Sequence, residues 1–314
     1  MRPTLAAVAA EQHGVVLCRQ ALQHGYDPKE IRRLVRRSVW VRVRHGVYAE
    51  AGPLRAADAR LRHLTTLQAC LLVVADDTLA SHDSAAVAHE LPTWGLDLSE
   101  VALTRPRGRS SRREAGVVHH LAEVPPRHHA RAAGIAATSL GRTALDVARL
   151  RGFEAGVVCA DAALRAGATA GELAEAAELM AEWPGGREST AVAAVADGRC
   201  ESPGETLARL IVRGCGLSVT PQVVVPGARA RVDLMLDDAP VVVEFDGRLK
   251  YVDADGRPDP QALWDEKRRE DRLRDLGYEV VRITWSGLFD AGRVETERRL
   301  RAAVARASLR PRVA

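Results

Sequence analysis

The 314-residue chain has no run approaching the roughly 18 to 20 consecutive apolar residues that a membrane span needs. Its first residues also lack the compact apolar stretch and small-residue cleavage site of a secretory leader. A helical membrane span is excluded on those grounds, and a cytoplasmic location is expected. Cysteine is sparse. Cys18, Cys70, Cys159, Cys200 and Cys215 are odd in number, scattered and never spaced as CxxC, so buried, reduced thiols are expected rather than a disulfide framework or a zinc ribbon. Also missing are a GxxxxGK[ST] phosphate loop, an HExxH pair, and a nucleophile-elbow setting around Ser84 or Ser139, which removes the NTPase, zincin and acyl-hydrolase readings. The pairs His119-His120 and His128-His129 do not restore a zinc site, because adjacent histidines point to opposite faces of a strand and do not face one another on a helix. No internal repeat, low-complexity tract or heptad pattern is present.

What is present is a globular composition, 46% hydrophobic, in a chain long enough for two or three domains. The formal charge of +4 is uneven: residues 1–55 hold ten Lys and Arg against four Asp and Glu, which makes this segment the polyanion-facing part. Short helices are predicted over Ala6–Glu11, stopped by Gly14, and over Arg19–Gln23, ended by His24 and Gly25. Asp27-Pro28-Lys29-Glu30 supplies an N-cap, a proline at the first helical position and an acidic first turn, opening a third helix that reaches about Arg37. Its apolar stripe is Ile31, Leu34 and Val35, and Arg32, Arg33, Arg36 and Arg37 occupy much of the remaining surface. Trp40 to Tyr48 then alternates as a basic hairpin, with Arg42 and Arg44 on it and Trp40 and Tyr48 as packing aromatics. Three small helices followed by a β-wing predict a winged helix-turn-helix over residues 1–55, with these six arginines as candidate DNA contacts. A protein-contact role is the competing reading of such a domain.

Residues 56–195 are Ala-rich and predicted mainly helical, with helices over Ala57–Leu72 and Thr143–Ala166. Between them the loop Arg105–Arg113 carries five arginines in nine residues, suited either to phosphate contact or to simple solvation. Residues 196–314 change to an α/β alternation: a helix over Ser202–Gly214, strands over Val223–Val225, Ala230–Leu236 and Val241–Phe245, a helix over Gln261–Leu276 and a strand over Tyr278–Trp285. The fold class expected is therefore multidomain α+β, with a winged helix-turn-helix, a mixed helical middle region and a C-terminal α/β domain.

Three acids interrupt an otherwise apolar hairpin in this last domain. If the chain turns through Asp237-Asp238-Ala239-Pro240, Met235 faces Val242 and Asp233 lies opposite Glu244, with β-carbons about 5 Å apart. Glu244 and Asp246 share a face by the period of two. Like charges so placed call for a cation, and Mg²⁺ prefers such carboxylates; a solvated sheet face is the alternative, disfavoured by the run Val241-Val242-Val243. Glu205, in Ser202-Pro203-Gly204-Glu205, completes a capping box and is also available to a metal.

Asp233, Glu244 to Gly247, Glu266 to Asp271 and Gly277 to Trp285, in that order, resemble the PD-(D/E)xK nuclease superfamily, within it the branch related to very-short-patch-repair endonucleases. The resemblance runs from about Glu201 onward. It implies a restriction-endonuclease-like α/β fold and phosphodiester hydrolysis with Mg²⁺ or Mn²⁺, in which Asp233, Glu244 and Glu205 match the metal-binding acids. Asp246 stands where the motif's lysine is expected, and Lys250 where the related branch has a histidine; Lys250 or Lys267 would then position the water or the phosphate. The first segment, through Gly14-Val15-Val16, Ile31 to Val35 and Arg44 to Tyr48, resembles the N-terminal domain of AbiEi-type antitoxins, which implies transcriptional autoregulation and a toxin partner. Joined by Ser81 to Ala85 and Thr138 to Asp146, the two ends resemble a group of actinobacterial proteins. Two functions follow: a DNA endonuclease or nickase targeted by its winged helix, or a non-enzymatic antitoxin-like regulator whose nuclease fold is degenerate.

Overall fold

A computed structural model describes residues 1–247 and 260–309 of the chain. It divides into two compact units, Met1–Ala196 and Asp197–Ala314.

The first unit begins with α1 (Pro3–Glu11), β1 (Val15–Leu17), α2 (Cys18–Gln23), α3 (Pro28–Arg36), β2 (Trp40–Arg44) and β3 (Val47–Glu50). The three strands form an antiparallel sheet in the order β1-β3-β2. Asp27 caps α3, its carboxylate accepting from the backbone N–H groups of Lys29 (2.7 Å) and Glu30 (2.8 Å), and Pro28 occupies the first turn, where its missing N–H costs nothing. β1 was not anticipated, since three residues are too short for a period of two to register; its pairing with β3 defines it. Trp40 is 1% exposed at the centre of a cluster with Leu5, Val16, Tyr26 and Ile31, its ring 4.9 Å from that of Tyr26 and 6.1 Å from that of Tyr48.

Next come α4 (Ala51–Ala56) and α5 (Ala59–Leu71), and the latter closes the other face of the small sheet: Val15, Leu17, Val47 and Ala49 pack around Ala69, with Leu54 and Leu72 at the margin. Then follow β4 (Leu79–Ala80), α6 (His82–Ala88), β5 (Val101–Arg105), β6 (Arg112–Glu114), β7 (Val117–Leu121), β8 (His129–Ala132) and β9 (Ile135–Thr138), a six-stranded mixed sheet in the order β6-β7-β5-β4-β9-β8. The sequence reading of the middle region, mainly helical, did not include this sheet. Its strands are short and rich in alanine, as in Leu79–Ala80 and Ile135–Thr138, so neither length nor β-branched content announces them. Burial of Ala80, Leu103, Val117, Ile135 and Ala137 in one cluster selects the strand state.

The unit ends with α7 (Leu140–Arg151), α8 (Phe153–Arg165), α9 (Ala170–Met180) and α10 (Gly186–Val195). The single helix expected over Thr143–Ala166 is thus two. Gly152 separates them at φ +90° and ψ −177°, a conformation open essentially to glycine alone.

The second unit comprises α11 (Pro203–Gly214), β10 (Val219–Val225), β11 (Ala230–Leu236), β12 (Val241–Asp246), α12 (Pro260–Asp275), β13 (Glu279–Thr284) and α13 (Asp290–Ser308). Its sheet runs β10-β11-β12-β13, antiparallel for the first two pairings and parallel for the last, with α12 as the crossover that a parallel pair requires. β12 is interior, and Val241 through Phe245 are all buried. Leu273 of α12 packs against Val232 and Val242 of the sheet.

Candidate functional site

Two sets of residues were singled out by the sequence, one in each unit. In the first unit, α3 buries Ile31 (3% exposed) and half-buries Leu34 and Val35, which turns Arg32, Arg33, Arg36 and Arg37 to solvent. Arg42 is exposed on β2 beside them. Arg44 is not available in the same way. Its Nε donates to the Cys70 sulfur at 3.1 Å and its Nη1 to the Ala115 carbonyl, so it ties β2 to α5 and to the β6–β7 turn. Bonds to backbone N–H groups hold the Asp27 carboxyl below its ordinary value, so the cap stays ionised at the positive end of α3. In the arginine-rich loop after β5, Arg105 donates to the Arg107 and Ser110 carbonyls, while the exposed Arg107 and Arg113 pair with Asp77 and Glu100 outside it.

In the second unit the register is the expected one, with Met235 opposite Val242 and Leu234 opposite Val243. Continued by one residue it sets Asp233 opposite Glu244, but the ladder stops there, and the Asp233 carboxylate accepts the Phe245 N–H at 2.8 Å. Glu244, 7% exposed, receives an Nη of Arg269 from α12 at 3.0 Å. Glu205 is 6% exposed and acts as the cap partner: it accepts from Glu201 N (2.8 Å), Ser202 Oγ (2.7 Å) and Gln222 Nε2 (2.8 Å). Asp246 lies half-buried at the end of β12, opposite Thr284. Lys267 is exposed on α12, and Lys250 lies outside the described residues.

Each of these acids thus has a protein partner of its own. Among the described residues no three His, Cys, Asp or Glu side chains stand close enough to hold a metal ion. Arg269 lies on Glu244 Oε2, the Phe245 N–H on Asp233 Oδ2, and three donors on the two oxygens of Glu205. The residue missed was Arg269. Leu273, 1% exposed, marks the sheet-facing side of α12, and Arg269 lies one turn earlier on that same side, whereas Lys267 does not. Beside it, Glu270 pairs with Arg282 of β13 at 2.7 Å and with Arg274.

Three short helices with an arginine-bearing third, followed by an antiparallel ribbon, are the arrangement of a winged helix-turn-helix, a class that lays its third helix in the major groove of duplex DNA. Residues 3–51 match the family model described as a transcriptional regulator, AbiEi antitoxin. No curated protein matches the chain. The α3 and β2 arginines lie within the matched residues; the acids of the second unit lie outside them. No described helix is long and apolar enough to cross a membrane.

Proposed function

We propose that the chain is a DNA-binding transcriptional regulator of antitoxin type, with duplex DNA as its ligand and a toxin protein as its partner. One observation carries the reading: Arg32, Arg33, Arg36 and Arg37 are solvent-exposed on the helix that a winged helix-turn-helix inserts into the groove, with Arg42 beside them on the ribbon. Guanidinium groups so placed serve phosphates and guanine edges alike. Selection from a random duplex pool, followed by binding titrations on the enriched sequence, tests it. Arg33→Ala with Arg36→Ala is expected to weaken specific binding at least tenfold, since a good arginine–guanine pair supplies about 1 to 3 kcal/mol. Failure of the wild type to enrich any sequence or to bind duplex DNA would sink the reading.

A second reading gives the second unit a Mg²⁺- or Mn²⁺-dependent nicking activity. The register neighbours Asp233 and Glu244, with Asp246 two residues on, favour it; Arg269 on Glu244 counts against it. Supercoiled plasmid nicked by the wild type with metal, and left intact by Asp233→Ala and Glu244→Ala, would establish it. Intact plasmid bound in a salt-sensitive manner leaves the regulator.

A further inference from the structure

The α3 arginines do not mark the end of the basic surface. A cleft of about 590 Å³ opens beside the end of α3, floored by Val35, Val41 and Leu54, and its lining includes Arg42 of β2, Arg55 of α4 and Arg62 of α5. Arg55 and Arg62 lie beyond the residues that the family model matches. No acidic side chain lines the cleft, and among the described residues none of the three arginines forms an ion pair. Other arginines of this unit are paired, Arg2 with Glu30, Arg127 with Glu175 and Arg151 with Asp83.

The arginines of α5 are sorted by direction. Arg60 turns inward, donating to the Val87 and Leu91 carbonyls. Arg62, two positions on, is exposed; its Nη1 donates to the Ala57 carbonyl, which steadies the side chain and leaves the rest of its five-donor fork for an acceptor. Three cations from three elements around one acid-free cleft suit a polyanion that passes close to α3, and a sugar–phosphate backbone has that charge and position.

We infer that Arg42, Arg55 and Arg62 form a phosphate clamp that extends the DNA interface from the winged helix onto α4 and α5. The inference rests on the DNA-binding reading above and assigns this cleft to the backbone of the same duplex. Phosphate contacts position a protein without reading sequence, so the clamp contributes affinity and salt dependence while α3 carries the preference.

The test is the salt dependence of binding by the full chain, measured by anisotropy on the enriched duplex and on a mixed-sequence duplex of about 30 base pairs. Each phosphate neutralised contributes about 0.9 to the slope of log K against log salt concentration. Arg55→Gln with Arg62→Gln is expected to lower the slope by about 2 on both duplexes and to keep the preference between them. Arg55→Lys with Arg62→Lys, which keeps the charge, is expected to restore it, so that an unfolded variant and a missing cation are told apart. If the wild type binds and the glutamine pair leaves slope and affinity unchanged, the clamp is overturned while the DNA-binding reading stands, and an acidic protein partner becomes the occupant to test. Absence of any wild-type DNA binding removes both.

Discussion

His82 shows how far a single residue's environment can depart from its ordinary chemistry. It follows β4 at φ +49°, its Nδ1 lies 2.9 Å from Ser81 Oγ, its ring stacks on His120 at 3.8 Å, and its Nε2 is 3.8 Å from Asp146. Burial pushes its pKa down to about 3, against the attraction of Asp146; that carboxylate is shared with Arg142 and Arg149, which oppose a charge on His82. Although burial alone would raise the Asp146 pKa, those neighbours hold it below the usual carboxylate range. The pair is thus a neutral imidazole beside an anion. Burial lowers His63, His119, His120 and His128 in the same direction. A depressed folded-state pKa gives stability that is complete above the unfolded value of 6.5 and is lost as pH falls toward about 3. The melting temperature of the first unit is expected to drop by roughly 10 °C between pH 7 and pH 4.5, at about 2 to 4 °C per kcal/mol. His82→Asn, which tolerates the left-handed backbone and does not titrate, should flatten that dependence. An unchanged pH profile of the melt would show that His82 does not govern it.

At the scale of an element, the start of α11 is built from Ser202, Pro203, Gly204 and Glu205, each with a separate duty. Ser202 Oγ accepts the Glu205 N–H and donates to the Glu205 carboxylate, which also accepts from Gln222 Nε2 of β10. Gly204 has no side chain because the ring of Phe245 fills that space; a Cβ there would come within 2.0 Å of it. Phe245 in turn stands edge-on to Trp285 at 5.2 Å, and its N–H is the donor held by Asp233. Gly204→Ala is therefore expected to cost about 2 to 3 kcal/mol through overpacking, more than the about 1 kcal/mol expected for loss of the Ser202 cap in Ser202→Ala. Urea melts of the two variants check the order. Equal, small losses would mean that α11 slides freely over Phe245.

Across the whole molecule, the winged helix is continuous with the rest of the first unit. One face of its sheet is covered by Ala69 of α5 together with Leu54 and Leu72, and Arg44 is bonded to Cys70 and Ala115. A fragment ending at Ala56 would expose Val15, Leu17, Val47 and Ala49, whereas one ending at Ala196 keeps them covered. Circular dichroism melts should show a cooperative transition for residues 1–196 and none for residues 1–56. A cooperative melt of the shorter fragment would show that the three-helix cluster around Trp40 is sufficient by itself.

Local signals were enough for part of this. The α3 cap is written in four consecutive residues, the exposed arginines follow from a helical period with an apolar stripe, and the Met235–Val242 register follows from alternation around a turn. In the second unit α11, α12, β11, β12 and β13 were likewise legible within a few residues, whereas β10 begins four residues before Val223 and α13 (Asp290–Ser308) was not anticipated. What spacing could not convey were choices made by distant packing. Alanine-rich segments became strands because neighbours in a six-stranded sheet buried them. Arg269 reaches Glu244 because of how α12 packs on the sheet, and Glu205 bonds Gln222 seventeen residues away. Arg55 and Arg62 meet Arg42 only once α4 and α5 fold back beside β2. Periodicity and capping act within a few residues, while the partner of a charged side chain is selected by which elements come to lie against it.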